Sequence, residues 1–214
     1  MKVLDFMSKN PIYIAPTSSV TDARAKMLKE NISKLPVLDD SGRLVGLITK
    51  NDLNKAGPSE ATTLDIYEIG YLLSKLKVEK IMTKKVYTVS CNEVVEEAAR
   101  IMADHDIGCL PVMNGDVLVG IITETDLFLA FIEMFGARHK GVRVSFEMSD
   151  KAGELAKLTD AIAKLGGNIV SVVTSDSEDA SKRFCTVKIE HVSAADIEKI
   201  VQQTDVKISD IRES

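Results

Sequence analysis

A ten-residue segment that occurs twice constrains this chain more than any other feature of its sequence. Residues 44–53 and 118–127 share seven of their ten positions, among them a glycine, a threonine and an aspartate. Internal repetition sets the architecture of a protein, because each copy is expected to build the same structural unit. We therefore predict that the chain up to about residue 135 consists of two copies of one fold.

The repeated segment predicts a buried strand that runs into a helix. Four or five apolar residues come first, and Thr49-x-x-Asp52 or Thr123-x-x-Asp126 follows at the end of the strand. One interpretation is that each threonine and aspartate only cap a helix, as in a capping box. The other is that the helix N-terminus attracts a phosphate while the aspartate accepts the hydroxyls of a ribose. Because the pattern recurs in matched context, we favour a binding site.

Each copy is predicted to run strand, helix, strand, hairpin turn, strand, helix, over residues 7–53 and 82–135, with a separate helix at about 64–75 between them. Pro36 and Pro111 occupy equivalent strands. Proline belongs at a sheet edge or an irregularity, because it cannot donate a hydrogen bond to the ladder. The two prolines either protect strand edges against aggregation or border an open cleft for a flat base, and the paired threonine–aspartate segments favour the cleft.

Composition excludes several classes of function. Hydrophobic residues make up 45% of the chain and charged residues 28%, as expected for a globular protein. Aromatic residues total 5%, there is no tryptophan, and the net charge is −5, so we expect no nucleic-acid partner. No apolar run approaches the roughly 18 residues of a membrane span, and the first residues do not form a signal peptide. We therefore expect no membrane partner and a cytoplasmic location.

The cysteines and histidines follow neither a disulfide framework nor a metal-ligand spacing. These residues are Cys91, Cys109, Cys185, His105, His139 and His191. We expect reduced thiols and no metal site.

The two copies resemble a tandem pair of CBS domains, a Bateman module. The matching motifs are S-x-L-P-V at residues 33–37 and G-h-h-T-x-x-D at residues 46–52 and 120–126. The resemblance implies two repeats packed with pseudo-twofold symmetry, with an adenosine ligand such as AMP, ADP, ATP, S-adenosylmethionine or a dinucleotide in the clefts between them. It implies a regulatory ligand and no required cofactor. The binding residues implied by the resemblance are Ser33, Lys34, Leu35, Pro36, Thr49, Asp52, Thr88, Ile107, Gly108, Cys109, Leu110, Pro111, Thr123 and Asp126.

The two copies differ in charge at two positions of the implied sites. Lys34 and Lys50 of the first copy correspond to Cys109 and Glu124 of the second. A phosphate chain is stabilised by nearby cations and repelled by a carboxylate. We therefore expect unequal clefts, with the cleft of Asp52 tolerating more phosphate.

The pattern changes after a short linker at residues 136–141. Alternating strands and amphipathic helices follow in the order βαββαβ, which predicts a ferredoxin-like unit. The D-x-x-G-x-L segment at residues 150–155 resembles an ACT domain, although Ala152 replaces the common proline of that loop. This resemblance implies dimerisation and an amino acid bound at the dimer interface by Asp150, Gly153, Leu155 and Asn168. The alternative is a dimerisation module without a ligand.

Together, the resemblances predict an α+β protein with a first CBS repeat at residues 1–62, a bridging helix and second repeat at 63–138, and an ACT domain at 139–214. A CBS pair followed by an ACT domain resembles the AcuB group of acetoin-utilisation-type proteins. It implies a non-enzymatic homodimeric sensor that binds an adenine nucleotide and acts on a protein target. A structural oligomerisation hub is the alternative. An enzyme is disfavoured, because the sequence has no P-loop, nucleophile elbow or evident carboxylate pair.

Overall fold

The computed structural model describes residues 1–57, 65–201 and 206–213, and contacts group residues 1–127 and 128–214 into an N-terminal unit and a C-terminal unit. The finer division at residues 62 and 138 stays a prediction. The elements that begin in the N-terminal unit are α1 Val3–Phe6, β1 Ser8–Lys9, α2 Val20–Lys29, β2 Lys34–Leu38, β3 Leu44–Thr49, α3 Lys50–Lys55, α4 Ile66–Lys75, α5 Val78–Ile81, β4 Val89–Ser90, α6 Val95–His105, β5 Cys109–Asn114, β6 Val117–Thr123 and α7 Glu124–Met134.

The two copies build matching antiparallel hairpins, β2 with β3 and β5 with β6. In both hairpins the register shifts at the same place, between Val37 and Leu38 and between Val112 and Met113. The helix before each hairpin buries equivalent side chains, which are Val20, Ala23 and Met27 in α2 and Val95, Ala98 and Met102 in α6. The helix predicted before each hairpin is thus confirmed, although Leu28, Val94 and Ala103, which share the apolar spacing of these helices, are exposed.

The start of each copy pairs with the hairpin of the other copy. In β1, Ser8 lies opposite Ile121 of β6, and Thr83 lies opposite Leu47 of β3 in the same manner. The close approach requires glycine, because a Cβ on Gly120 would meet the Met7 side chain and one on Gly46 would meet Met82. Each sheet is therefore completed by a segment that the sequence assigns to the other copy.

The C-terminal unit contains β7 Val142–Ser149, α8 Glu154–Lys164, β8 Asn168–Asp176, β9 Lys182–Glu190, α9 Ala194–Val201 and β10 Lys207–Glu213. Its antiparallel sheet has the order β10-β7-β9-β8, which confirms the predicted ferredoxin-like βαββαβ unit. Alternate residues of β7, including Val144 and Phe146, are buried in its core, as the one-faced pattern predicts.

Within residues 1–57, 65–201 and 206–213, no helix is both long enough and apolar enough to cross a bilayer. The same residues contain no group of three or more histidine, cysteine, aspartate or glutamate side chains placed to hold a metal ion. Cys91, Cys109 and Cys185 are free and buried.

Candidate functional site

A cleft of about 320 Å³ opens in the N-terminal unit, with walls from both copies. The β1 end and the loop before β2 supply one side, and β6 supplies the other. Its polar and apolar lining includes Lys9, Asn10, Ser33, Lys34, Ile121 and Thr123. We call this the first cleft. Its shared walls follow from the exchange described above, since β1 lies against β6.

The loop before β2 is shaped by a left-handed residue and by the next helix. Asn31 has φ 52°, a conformation that asparagine tolerates better than most residues. The turn delivers Ser33, whose carbonyl accepts a hydrogen bond of 2.8 Å from the Lys50 N–H at the start of α3. Ser33 and Lys34 consequently face the cleft while Leu35 is fully buried.

The two aspartates of the repeated motif make the same contacts. Asp126 Oδ2 accepts hydrogen bonds from the Thr123 N–H at 2.8 Å and its hydroxyl at 2.7 Å, and Asp52 Oδ2 does so from Thr49 at the same distances. Helix capping is therefore real in both copies. In the described part of the chain, however, neither Oδ1 atom accepts a hydrogen bond, and both aspartates are only half-buried. One carboxylate oxygen caps the helix and the other is available to a ligand.

The structure brings only some of the predicted residues to this cleft. Ser33, Lys34, Pro36 and Thr123 line it. Asp126 is not among the lining residues but is hydrogen-bonded to Thr123, which is. Other predicted residues lie elsewhere: Leu35, Cys109 and Leu110 in the core, Thr88 exposed before β4, and Thr49, Asp52, Ile107, Gly108 and Pro111 at the equivalent positions of the opposite copies.

Pro111 is not in an edge strand, because β5 lies between β6 and β4. The missing N–H of Pro111 costs no hydrogen bond on this side, because β4 is short and pairs only with Val112 and Met113. The prediction that Pro111 lies in an edge strand is therefore wrong; the short length of β4 is the irregularity that accommodates it.

The first cleft is positively charged. Lys9 and Lys34 line it, and none of the described residues that line it is acidic. Lys34 lines the same cleft as Thr123, although it lies opposite Thr49 in the β2–β3 hairpin. Lys50 lines a separate cavity of about 300 Å³ beside Arg24. Lys34 therefore does not support the expectation that the cleft of Asp52 tolerates more phosphate, because the exchange of strands places the loop before β2 against the motif of the other copy. The phosphate preference of the two clefts stays a prediction.

The cleft is also lined by three residues that were not among the predicted binding residues, namely Lys9, Asn10 and Ile121. A signal was present, since the segment around Ser8 recurs at Thr83. Its meaning depends on a strand pairing that local sequence patterns do not specify.

The residues predicted to bind an amino acid do not form one site within the C-terminal unit. Asp150 is paired with Arg183 at 3.2 Å, and this carboxylate raises the pKa of the guanidinium. Asn168 donates a hydrogen bond of 3.4 Å to Glu190, at the opposite end of β9. At about 3.4 Å per residue, the two ends of β9 are roughly 27 Å apart. Gly153, with φ 92°, is the N-cap of α8, and Leu155 in the first turn is 42% exposed.

Comparison with known families matches both parts of the chain. The CBS domain model matches residues 3–59 and 78–133, and the TTHA0829-like ACT domain model matches residues 140–212.

Solved structures resemble the CBS part. An acetoin utilization protein (AcuB) of Vibrio cholerae is 30% identical with a TM-score of 0.53, over 64% of this chain and 95% of that one. The CBS domain pair of protein MJ0100, solved with 5′-methylthioadenosine and S-adenosylmethionine, is 31% identical with a TM-score of 0.52, over 65% and 98%. CBSX2, solved with AMP, is 29% identical with a TM-score of 0.51, over 61% and 96%.

The chain spans well under half of the length of two curated relatives. Protein MJ1404 of Methanocaldococcus jannaschii is 32% identical over 151 residues, which are 69% of this chain and 35% of the relative. The L-aspartate semialdehyde sulfurtransferase of the same organism is 33% identical over 130 residues, which are 60% of this chain and 23% of the relative.

Proposed function

The chain belongs to the CBS-domain family and carries an ACT domain after its CBS pair, and on this premise we propose that it is a cytosolic, non-catalytic sensor of an adenosine-containing nucleotide. The observation that carries the proposal is the first cleft, whose positive lining adjoins the Thr123–Asp126 motif. Lys9 and Lys34 neutralise a phosphate, and the free Oδ1 of Asp126 accepts a ribose hydroxyl. AMP is the simplest ligand with both groups.

The solved relatives support the choice of ligand. MJ0100 binds adenosine compounds in its CBS pair, and CBSX2 was solved with AMP. A cavity of about 320 Å³ falls at the small end of the range that ligand sites occupy, which suits a mononucleotide better than a dinucleotide.

A ligand in the first cleft contacts both copies at once, because Ser33 comes from the first copy and Thr123 from the second. It therefore stabilises arrangements of the two copies in which these walls are close. A ligand shifts a conformational equilibrium only by its difference in affinity for the two states. The signal passed to a protein target is this shift, and it requires no chemical step.

We further propose that the chain forms a homodimer through its ACT domain and binds an amino acid at the dimer interface. Strand β8 is a sheet edge of nine residues without lysine or proline, and such an edge is open to pairing with another strand. When two copies of β8 pair in antiparallel fashion about a twofold axis, Asn168 of one copy lies beside Asp176 of the other. Arg183 connects Asp176 to Asp150 through ion pairs of 3.7 Å and 3.2 Å. The dimer thus unites the residues that a single chain keeps apart.

Calorimetric titration and thermal shift with AMP, ATP, 5′-methylthioadenosine and S-adenosylmethionine test the proposed function. A ligand at 100 times its dissociation constant adds about 2.7 kcal/mol to the stability of the folded state. Asp126→Asn is expected to weaken AMP binding at least tenfold. If none of these compounds binds or shifts the transition, the sensor proposal is wrong and the structural hub is favoured.

Asp22→Asn is the matched control. Asp22 caps α2 through Ser19 at 3.0 Å and 2.7 Å, as Asp126 does through Thr123, and it lies outside the lining of the first cleft. Loss of AMP binding in both variants would assign the effect to helix capping and not to ligand contact.

A further inference from the structure

The two copies correspond closely in backbone structure, so the lining of the first cleft has a second set of equivalent positions, which we call the second cleft. Thr83 pairs with Leu47 as Ser8 pairs with Ile121. Asp106, at the position of Asn31, has φ 53° against 52°. The second cleft is therefore defined by the positions equivalent to the lining of the first, where Gly108 replaces Ser33 and Thr49 replaces Thr123.

The Glu124 carboxylate lies beside Gly108, one of the positions that define the second cleft. A Cβ added to Gly108 would lie 2.8 Å from Glu124 Oε2. The Cβ of Ser33, the equivalent residue, leads into the first cleft. Since the backbones correspond, the carboxylate lies where a side chain at position 108 would enter the second cleft. No such carboxylate lines the first cleft among the described residues.

Of the two cations that line the first cleft, Lys34 has no counterpart in the second. Cys109 stands at the position of Lys34, and burial raises the pKa of its thiol to about 11. The thiol is therefore neutral at physiological pH. Lys84 and Lys85, equivalent to Lys9 and Asn10, are exposed, so the second cleft differs in charge from the first mainly by the carboxylate beside Gly108.

The second cleft nevertheless keeps the group that would hold a sugar. Thr49 and Asp52 repeat the hydrogen bonds of Thr123 and Asp126, and Asp52 Oδ1 is likewise without a partner among the described residues. The two clefts thus share the threonine–aspartate pair and differ in the charged groups around it.

We propose that the two clefts select different ligands, a phosphorylated adenosine in the first and an adenosine without phosphate in the second, and that Glu124 is the residue that excludes phosphate. The inference rests on the proposed function, since it assumes that both clefts take adenosine compounds. A carboxylate several ångströms from a phosphate at an effective dielectric of about 20 weakens binding on the order of 100-fold.

The test is calorimetric titration of the full chain with two probes, AMP and 5′-methylthioadenosine. AMP is expected to bind one site per chain, and this site is lost in Asp126→Asn but kept in Asp52→Asn. 5′-Methylthioadenosine is expected to keep a site in Asp126→Asn that Asp52→Asn removes. Glu124→Gln, which preserves the shape of the side chain, is expected to create a second AMP site by a gain of about 100-fold.

Two equal AMP sites in the unaltered protein would overturn the inference while leaving the proposed function intact. An unchanged AMP stoichiometry in Glu124→Gln would do the same. The melting temperature of each variant, measured without ligand, separates a failure to fold from a change in selection. Absence of binding by both probes would instead refute the proposed function, and this inference with it.

Discussion

Replacement of Gly120 by alanine is expected to destabilise the N-terminal unit, because it pushes β1 away from β6. The new Cβ would meet the Met7 side chain and lie 3.0 Å from the Ser8 carbonyl oxygen. The Met7 side chain can move. The Ser8 carbonyl is held in place, because Ser8 is paired with Ile121 in the β1–β6 sheet. Forcing a methyl group into such a packed position costs about 1–3 kcal/mol.

That cost corresponds to a fall in melting temperature of about 3–9 °C for a chain of this size. Gly70→Ala is the control, because Gly70 lies in α4 with no atom within 4 Å of an added Cβ. It should be stabilising by up to about 1 kcal/mol, through helix propensity. The measurement is scanning calorimetry of both variants.

The double variant Met7→Ala, Gly120→Ala isolates the contact itself. If Met7 is the obstacle, the two changes together should destabilise by less than the sum of the single changes, by about 0.5 kcal/mol or more. Gly120→Ala as stable as the unaltered protein, or strict additivity of the two changes, would refute the close packing between β1 and β6.

Three further outcomes are expected. Lys34→Cys, which installs the residue of the second copy, should weaken AMP binding about 10–100-fold and reduce its salt dependence in titrations at two ionic strengths, with 5′-methylthioadenosine unaffected; equal losses for both compounds would contradict a role in binding phosphate. Hydrogen bonds from His139 and Asn168 lower the pKa of Glu190 below 4.5, so this group stabilises the fold above that pH and the benefit is lost as pH falls through its folded pKa. Urea unfolding should therefore distinguish Glu190→Gln from the unaltered protein at pH 7 and not at pH 2; a constant difference would exclude the linkage. Val172→Lys, at an exposed residue in the middle of the edge strand β8, should shift the mass measured by light scattering from dimer to monomer, and an unchanged dimer would place the interface elsewhere.

The sequence specified the parts of this fold that follow from local periodicity. The buried stripes of α2 and α6 and the βαββαβ order were predictable, because each depends on side chains a few residues apart. The repeated segment also located Thr123, and the S-x-L-P-V motif located Ser33, and both residues line the first cleft.

The remainder depended on pairing between distant segments. Lys34 was assigned to the wrong cleft, and Lys9 was missed, because both assignments require knowing that Ser8 lies against Ile121. Glu124 was expected to repel phosphate. That its carboxylate lies beside Gly108 could not be predicted, because an alignment of the two copies does not specify the direction of a side chain.

The exchanged strands make the two halves of the N-terminal unit mutually dependent. A chain cut between the copies would leave one fragment with the β3 edge bare at Leu47 and the other with the β6 edge bare at Ile121. Each bare edge matches a segment carried by the opposite fragment, so separately produced halves should recombine as a complementing pair instead of folding alone. Each copy therefore needs the other to complete its strand pairing, although the two copies have the same fold.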